Sequence, residues 1–108
     1  MATTKEYIEF VCEQISFISG VRYKKMFGEY MVYVNDKPIL LVCDNTVFVK
    51  KADCIKDIMS EESVGTPYNG AKEHYILNVE DSELSKEVIL LLEKVTPVPK
   101  KKIKKEKE

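Results

Sequence analysis

The sequence predicts an α+β fold in which helices flank an antiparallel sheet. Near both ends of the chain, apolar residues recur with the 3.6-residue period of amphipathic helices. Between residues 21 and 51 the period changes to two, which is typical of strands with one buried face. Short turn sequences separate these strands, so neighbours are expected to pair antiparallel. The predicted order is α-β-β-β-β-α-β-α in one domain, residues 1–96, followed by a disordered Pro/Lys-rich tail, residues 97–108.

The first helix has predicted start and stop signals. Thr3 and Glu6 fit a capping box, in which each side chain bonds a free backbone N–H of the first turn. Gly20 is expected to end the helix, because glycine adopts the left-handed conformation at no steric cost. The predicted buried stripe consists of Ile8, Val11, Cys12, Ile15 and Ile18.

Alternating segments follow, separated by turn residues. Residues 21–27 and 29–34 are predicted strands, and Gly28 between them is expected at positive φ in a tight turn or bulge. Asn35-Asp36-Lys37 supplies the next turn, and Asp44-Asn45 supplies a tighter one of the kind that tolerates positive φ. The intervening segment 39–43 is apolar on both faces, which predicts cover on both sides or pairing with another subunit.

The second half of the chain alternates helix and strand. Ile55, Ile58 and Met59 predict a short helix over residues 52–61, and the Gly- and Pro-containing segment 61–73 reads as an irregular loop. Residues 75–79 form a predicted strand. Asp81 or Ser82 caps the last helix, and Thr96-Pro97 ends it, because a residue before proline disfavours helical geometry.

Composition favours a soluble, cytoplasmic protein of a single domain. The 108 residues include 44% hydrophobic and 32% charged types, and no apolar stretch reaches the ~20 residues of a membrane span. No secretory pattern precedes the first helix. The net charge of −1 conceals a basic tail, Lys100–Glu108, and an acidic remainder. The tail is expected to be solvated, with nucleic-acid contact as an alternative role.

The residue types do not predict an enzyme, a metal site or a cofactor. His74 is the only histidine, and no nucleophile elbow or glycine-rich phosphate loop accompanies it. Zinc usually takes four Cys or His ligands from tight pairs, whereas Cys12, Cys43 and Cys54 are widely spaced. These cysteines are therefore interpreted as buried thiols.

Two groups of residues are candidates for binding. The loop 65–75 combines aromatic rings with donors, and its tentative ligand or partner contacts are Tyr68, Lys72, His74 and Tyr75. The alternative is a Pro/Gly-shaped surface loop with a solvated histidine. A basic stripe interleaved with aromatic residues is the second candidate, although a solvated strand face explains it as well. The stripe comprises Arg22, Lys24, Lys25, Lys50 and Lys51.

The sequence also resembles the N-terminal domain of the TfoX family of bacterial competence regulators, at the level of short single-domain members. The resemblance rests on Met26-Phe27-Gly28, the Tyr33-Val34 strand, Val47-Phe48-Val49-Lys50 and Pro67-Tyr68-x-Gly70-Ala71-Lys72 leading into His74-Tyr75. It implies an α+β sandwich resembling secretion chaperones, usually found as a dimer. It further implies a non-enzymatic regulatory or adaptor module that binds a protein partner in transcription or competence regulation.

Two alternatives from another functional class remain. The chain can be a small-ligand-binding domain that uses the loop 65–75, or a nucleic-acid-binding domain that uses the basic tail. In either class, a homodimer through the sheet is expected, because three short helices do not cover both faces of an apolar sheet.

Overall fold

Six strands form one antiparallel sheet in the computed structural model, which describes residues 3–26 and 29–98. In chain order they are β1 Val21–Met26, β2 Glu29–Val34, β3 Lys37–Cys43, β4 Thr46–Val49, β5 Val64–Gly65 and β6 His74–Ile76. Their spatial order is β1-β2-β3-β4-β6-β5. Two helices, α1 Lys5–Gln14 and α2 Ser82–Val95, flank this sheet. The predicted α+β class is confirmed, whereas the likeness to secretion chaperones stays a prediction.

Two hairpin turns set the register of the first strands. Asn35 and Asp36 connect β2 to β3 with φ of 52° and 68°, and Asp44 and Asn45 connect β3 to β4 with φ of 52° and 54°. Both central residues at positive φ match the right-handed twist of a two-residue hairpin. The predicted turns are confirmed. Residues 27 and 28 connect β1 to β2 and lie outside the described residues, as does the prediction for the conformation of Gly28.

The hydrophobic core lies between both helices and one face of the sheet. Ile8 and Val11 of α1 and Val88 and Ile89 of α2 are fully buried in it. The sheet contributes its residues of one alternation, which β-strand geometry places on one side. These are Tyr30, Val32, Val34, Leu40, Val42, Val47 and Val49. The fold therefore has two layers, one helical and one sheet.

The first helix differs from the prediction at both ends. Thr4, not Thr3, is the N-cap, and its hydroxyl accepts the Tyr7 N–H at 3.1 Å. The hydroxyl of Thr3 instead donates to Glu29 at 2.7 Å, because Thr3 is buried against the sheet. The helix ends at Gln14, and turns lead to Gly20. Gly20 has φ of +82° and accepts the Asn35 N–H, so it shapes the entry to β1.

The predicted helix over residues 52–61 is a 3-10 helix, Asp53–Ile55, followed by turns. Ile55 and Met59 are fully buried as the pattern requires. The Met59 N–H donates to the Ile55 carbonyl at 3.0 Å, so a single turn places both side chains in the core. Asp53, Cys54 and Asp57 in this segment are poor helix formers. The segment also lacks a side-chain cap at Ala52.

The last helix follows its predicted boundaries. The side chain of Asp81 accepts the Leu84 N–H at 3.2 Å, and Thr96 is the C-cap before Pro97. Lys37 joins this helix to β3, because its Nζ donates to the Glu93 carbonyl at 2.8 Å and lies 3.4 Å from the Glu93 carboxylate. In the described ranges, neither helix has the length and apolar character needed to cross a membrane. The predicted tail, residues 97–108, lies outside them from Pro99 onward.

Candidate binding surface on the open face of the sheet

The sheet has a second apolar face, on the side away from the helices. Met31 pairs with Leu41, Leu41 with Phe48, and Phe48 with Ile76, so these side chains form a row across four strands. None of them belongs to the core cluster between sheet and helices. We call this side the open face; it also carries Met26, Cys43 and His74.

A groove of about 520 Å³ lies on the open face. Its volume is within the range of ligand-binding clefts. Its lining is mostly apolar, and the flexible thioether chains of methionine can adapt to different partners. The lining residues are Met26, Glu29, Tyr30, Met31, Leu41, Cys43 and Tyr68.

The groove continues toward a basic end. Met31 and Leu41 also line a second depression of about 160 Å³, which they share with Phe48, Lys50 and His74. A third depression of about 450 Å³ adjoins it, since Lys50 and His74 line both. Lys72, Lys51, Glu73, Ala71 and Tyr68 complete the third depression. The open face therefore changes from apolar at Met26 to cationic at Lys72.

Three of the four predicted contact residues meet at this basic end. Tyr68, Lys72 and His74 line one depression, and the Tyr68 side chain is 62% exposed. Tyr75 does not join them, because it pairs with Val49 and packs against the core on the helical side. Met26 lines the apolar end of the groove, whereas the predicted motif residues Phe27 and Gly28 lie outside the described residues.

His74 is not the solvated loop residue that the sequence predicts. It is the first residue of β6, it is half-buried, and its ring meets Phe48 edge-on with centroids 6.4 Å apart. Its Nδ1 lies 2.8 Å from the Lys72 carbonyl. A carbonyl oxygen only accepts, so Nδ1 carries a hydrogen and donates it to this carbonyl. His74 thereby holds the end of the loop against the sheet.

The loop before β6 is anchored at a second point. Pro67 is buried, while its neighbours Thr66 and Tyr68 are exposed. Gly70 has φ of +90°, and the Ala71 N–H donates to the Tyr68 carbonyl at 3.0 Å in the turn. A buried proline and a closed turn leave Tyr68 projecting over the open face.

Two lysines at the basic end have no counter-charge among the described residues. Lys51 pairs with Glu73 at 2.5 Å, and Arg22 pairs with Asp36 at 2.8 Å. Within the described part of the chain, neither an ion pair nor a hydrogen bond is made by the Nζ of Lys50 or Lys72. Both are exposed. They are therefore available to a negatively charged partner.

A hydrogen-bonded latch closes the other end of the groove. The Oε1 atom of Glu29 accepts the Thr3 N–H at 3.0 Å, the Thr3 hydroxyl at 2.7 Å and the Asp44 N–H at 3.1 Å. The Thr3 hydroxyl oxygen also accepts the Asn45 N–H at 3.2 Å. These bonds fix the chain before α1 to the β3–β4 turn and occupy one oxygen of the Glu29 carboxylate.

The thiol in the groove is poorly suited to nucleophilic or metal chemistry. Cys43 is 2% exposed. Burial and the nearby carboxylates of Glu29 and Asp44 raise the pKa of this thiol to about 11, so it is protonated at neutral pH. Residues 3–26 and 29–98 contain no cluster of three or more His, Cys, Asp or Glu side chains that would hold a metal ion.

The sequence does not predict the groove, but one segment of it indicates that the second face of the sheet is in contact with something. The two-sided apolar segment 39–43 indicates that both faces of β3 are covered or contacted, and Leu41 of this segment lies in the groove floor. The sequence does not predict Met26 and Met31 as binding residues, because the two methionines lie on different strands. Their proximity depends on the pairing of β1 with β2, which the sequence alone does not specify in register.

Comparison with known proteins relates the chain to a protein of similar size. No model of a known protein family matches the chain. An uncharacterized 12.7 kDa protein in the trpE 5' region of Spirochaeta aurantia is 32% identical over 102 residues, which cover 93% of this chain and 89% of that protein. The similarity therefore covers nearly the whole chain. The chain therefore belongs to the same family as this uncharacterized 12.7 kDa protein of Spirochaeta aurantia.

Proposed function

We propose that the chain is a non-enzymatic adaptor module that binds another protein through the open face of its sheet. The observation that carries this proposal is the apolar row from Met31 to Ile76 on the face opposite the helices. Met31, Leu41 and Ile76 of this row are half-buried and lie outside the core cluster. Partly exposed apolar side chains that adjoin one another on one face are typical of an interaction surface. The resemblance to TfoX N-terminal domains supports a regulatory role in transcription or competence.

A homodimer through the sheet is the alternative occupant of this face. An antiparallel sheet with two apolar faces can bury the second one against another copy of itself. Light scattering at micromolar concentration is the direct measurement. A monomer at all concentrations would exclude the dimer and leave a different protein as the partner of the open face.

A small-ligand-binding function is the second candidate. The observation in its favour is that Tyr68, Lys72 and His74 line one depression of about 450 Å³. An aromatic ring and an ammonium group can orient a small anionic molecule. Native mass spectrometry of the purified chain tests it, because a bound metabolite adds a defined mass.

The protein-binding proposal is tested by capture from native lysate with matched variants. The groove variant combines Tyr68→Ala with Leu41→Thr, which removes one exposed aromatic and one leucine from the open face. The control variant combines Phe17→Ala with Leu90→Ala, which removes the same two kinds of side chain from the helical side, where both are exposed. The expected result is that only the groove variant loses the partner. Equal capture by both variants would contradict the proposal, provided that circular dichroism shows both to be folded.

A further inference from the structure

The open face is positively charged on a domain that is otherwise negatively charged. The described residues include eleven Lys and Arg against sixteen Asp and Glu, which is a net charge of −5. Lys24 is opposite Met31 in the sheet and therefore lies on the open face, as do Lys50 and Lys72 at the basic end. In the part of the chain that the structure describes, none of these three lysines has an ion pair. Among the described residues that line the apolar groove, Glu29 is the one acidic group, and the latch occupies its Oε1.

We propose that the groove binds an acidic amphipathic peptide segment of a partner protein. Its apolar side chains would lie along Met26, Met31 and Leu41, and its carboxylates would meet Lys50 and Lys72. This inference rests on the proposed function and specifies the chemistry of the partner.

Charge complementarity selects this occupant. Lys50 belongs to the same depression as Met31, Leu41 and Phe48, so a segment lying on the apolar floor has an ammonium group at its end. Ion pairs next to a desolvated apolar contact are screened less than isolated surface pairs. An acidic segment therefore gains both contacts without moving the backbone.

A second copy of this chain is a poorer fit for the groove. Two open faces brought together around a two-fold axis would each present unpaired lysines. Like charges at an interface disfavour a partner. The remainder of the domain is acidic, so a basic partner segment would be attracted to other surfaces rather than to this one.

The form of the groove favours a peptide over a small carboxylate. Tyr68, at the edge of the groove, is 62% exposed. The three depressions adjoin one another along the sheet. A small ligand is usually enclosed on most of its surface. An extended or helical peptide segment can instead lie along the groove and the two adjoining depressions, with apolar contacts in the groove and charged contacts at the basic end.

Selection of random peptides displayed on phage against the full chain tests the proposal. The expected result is enrichment of peptides that combine Leu, Ile, Met or Phe with Asp or Glu. A synthetic copy of an enriched peptide should bind about tenfold more weakly to the variant Lys50→Glu with Lys72→Glu, because two favourable charge pairs become unfavourable. The control variant Lys56→Glu with Lys86→Glu has the same net charge and alters exposed lysines that do not line the groove. Its affinity should change by less than about twofold.

The outcomes separate this inference from the proposed function. The selected peptides could lack acidic residues and still lose binding in the variant Tyr68→Ala with Leu41→Thr. That result would contradict an acidic partner but support protein binding by the open face. Peptides whose binding survives that groove variant, or no enrichment at all, would overturn both. A dimer or a bound metabolite that the groove variant abolishes would also overturn the inference, because a different occupant would then fill the groove.

Discussion

At the scale of single residues, substitutions of Gly20 and Gly70 distinguish the energetic cost of backbone strain from that of a steric clash. Both have positive φ, but a Cβ at Gly20 would lie 2.2 Å from the Asn35 Oδ1, whereas one at Gly70 would meet nothing within 4 Å. Gly20→Ala should therefore lower the free energy of unfolding by about 2–3 kcal/mol and Gly70→Ala by about 1 kcal/mol. Urea unfolding of the two variants measures the difference. Equal effects would mean that Asn35 moves aside without cost.

Glu29 is a second residue with a large expected effect. Its Oε1 accepts three hydrogen bonds that connect the chain before α1 to the β3–β4 turn. Glu29→Ala removes the acceptor of all three bonds, two of which come from the buried Thr3, and should destabilise the fold by about 2–3 kcal/mol. Glu87→Ala on the exposed side of α2 is the control and should change stability by less than about 0.5 kcal/mol. Similar melting temperatures for both variants would rule out the latch.

The raised pKa of the Cys43 thiol predicts that the fold loses stability at alkaline pH. The pKa of its thiol is raised to about 11 in the fold, from an ordinary value of 9.0. The unfolded chain therefore loses its thiol proton first, so the stabilising contribution is complete below pH 9 and disappears as the pH rises toward 11. Unfolding free energies of the wild type and Cys43→Ala, compared across this range, measure it. The difference between them should shrink as the pH rises, and a constant difference would contradict the raised pKa.

At the scale of elements, the loop before β6 is expected to depend on His74 more than on Lys72. His74 contacts Phe48 and donates to the Lys72 carbonyl, whereas the Lys72 side chain is solvated. His74→Ala should lower the free energy of unfolding by about 1 kcal/mol, and Lys72→Ala should leave it unchanged within about 0.5 kcal/mol. Thermal unfolding of both variants provides the comparison. If His74→Ala left the free energy of unfolding unchanged, His74 would behave as the solvated loop residue expected from the sequence.

The elements also show where sequence patterns are sufficient. The turn residues at positions 35–36 and 44–45 and the cap at Asp81 act through local backbone chemistry, so a local pattern predicts them. The start of α1 depends instead on Thr3 being held by Glu29, which is 26 residues away in sequence. The short segment after β4 buries Ile55 and Met59 against the core, and the same apolar spacing is compatible with a full helix. Contacts between distant residues decided both cases.

At the scale of the whole molecule, the layer arrangement could be predicted, whereas the position of the binding surface could not. Periodicity identifies which residues have a buried face, but strand β3 is apolar on both faces and gives no sign of which side the helices cover. The groove combines Met26, Met31 and Tyr68 from three separate segments. Only the sheet order and the anchored loop bring them together. The predicted contacts Tyr68, Lys72 and His74 do lie together because they share one loop and its strand.

The central claim is that the open face contacts another protein, and site-specific photocrosslinking tests it most directly. A photoreactive phenylalanine derivative is placed at Tyr68 in one form of the chain and at Phe17 in another. Both positions are exposed aromatics, 62% and 50%, on opposite layers of the fold, so each exchange preserves the local structure. Irradiation in native lysate should produce covalent protein adducts from position 68 and none from position 17. Adducts from position 17 alone, or from neither position, would contradict the claim.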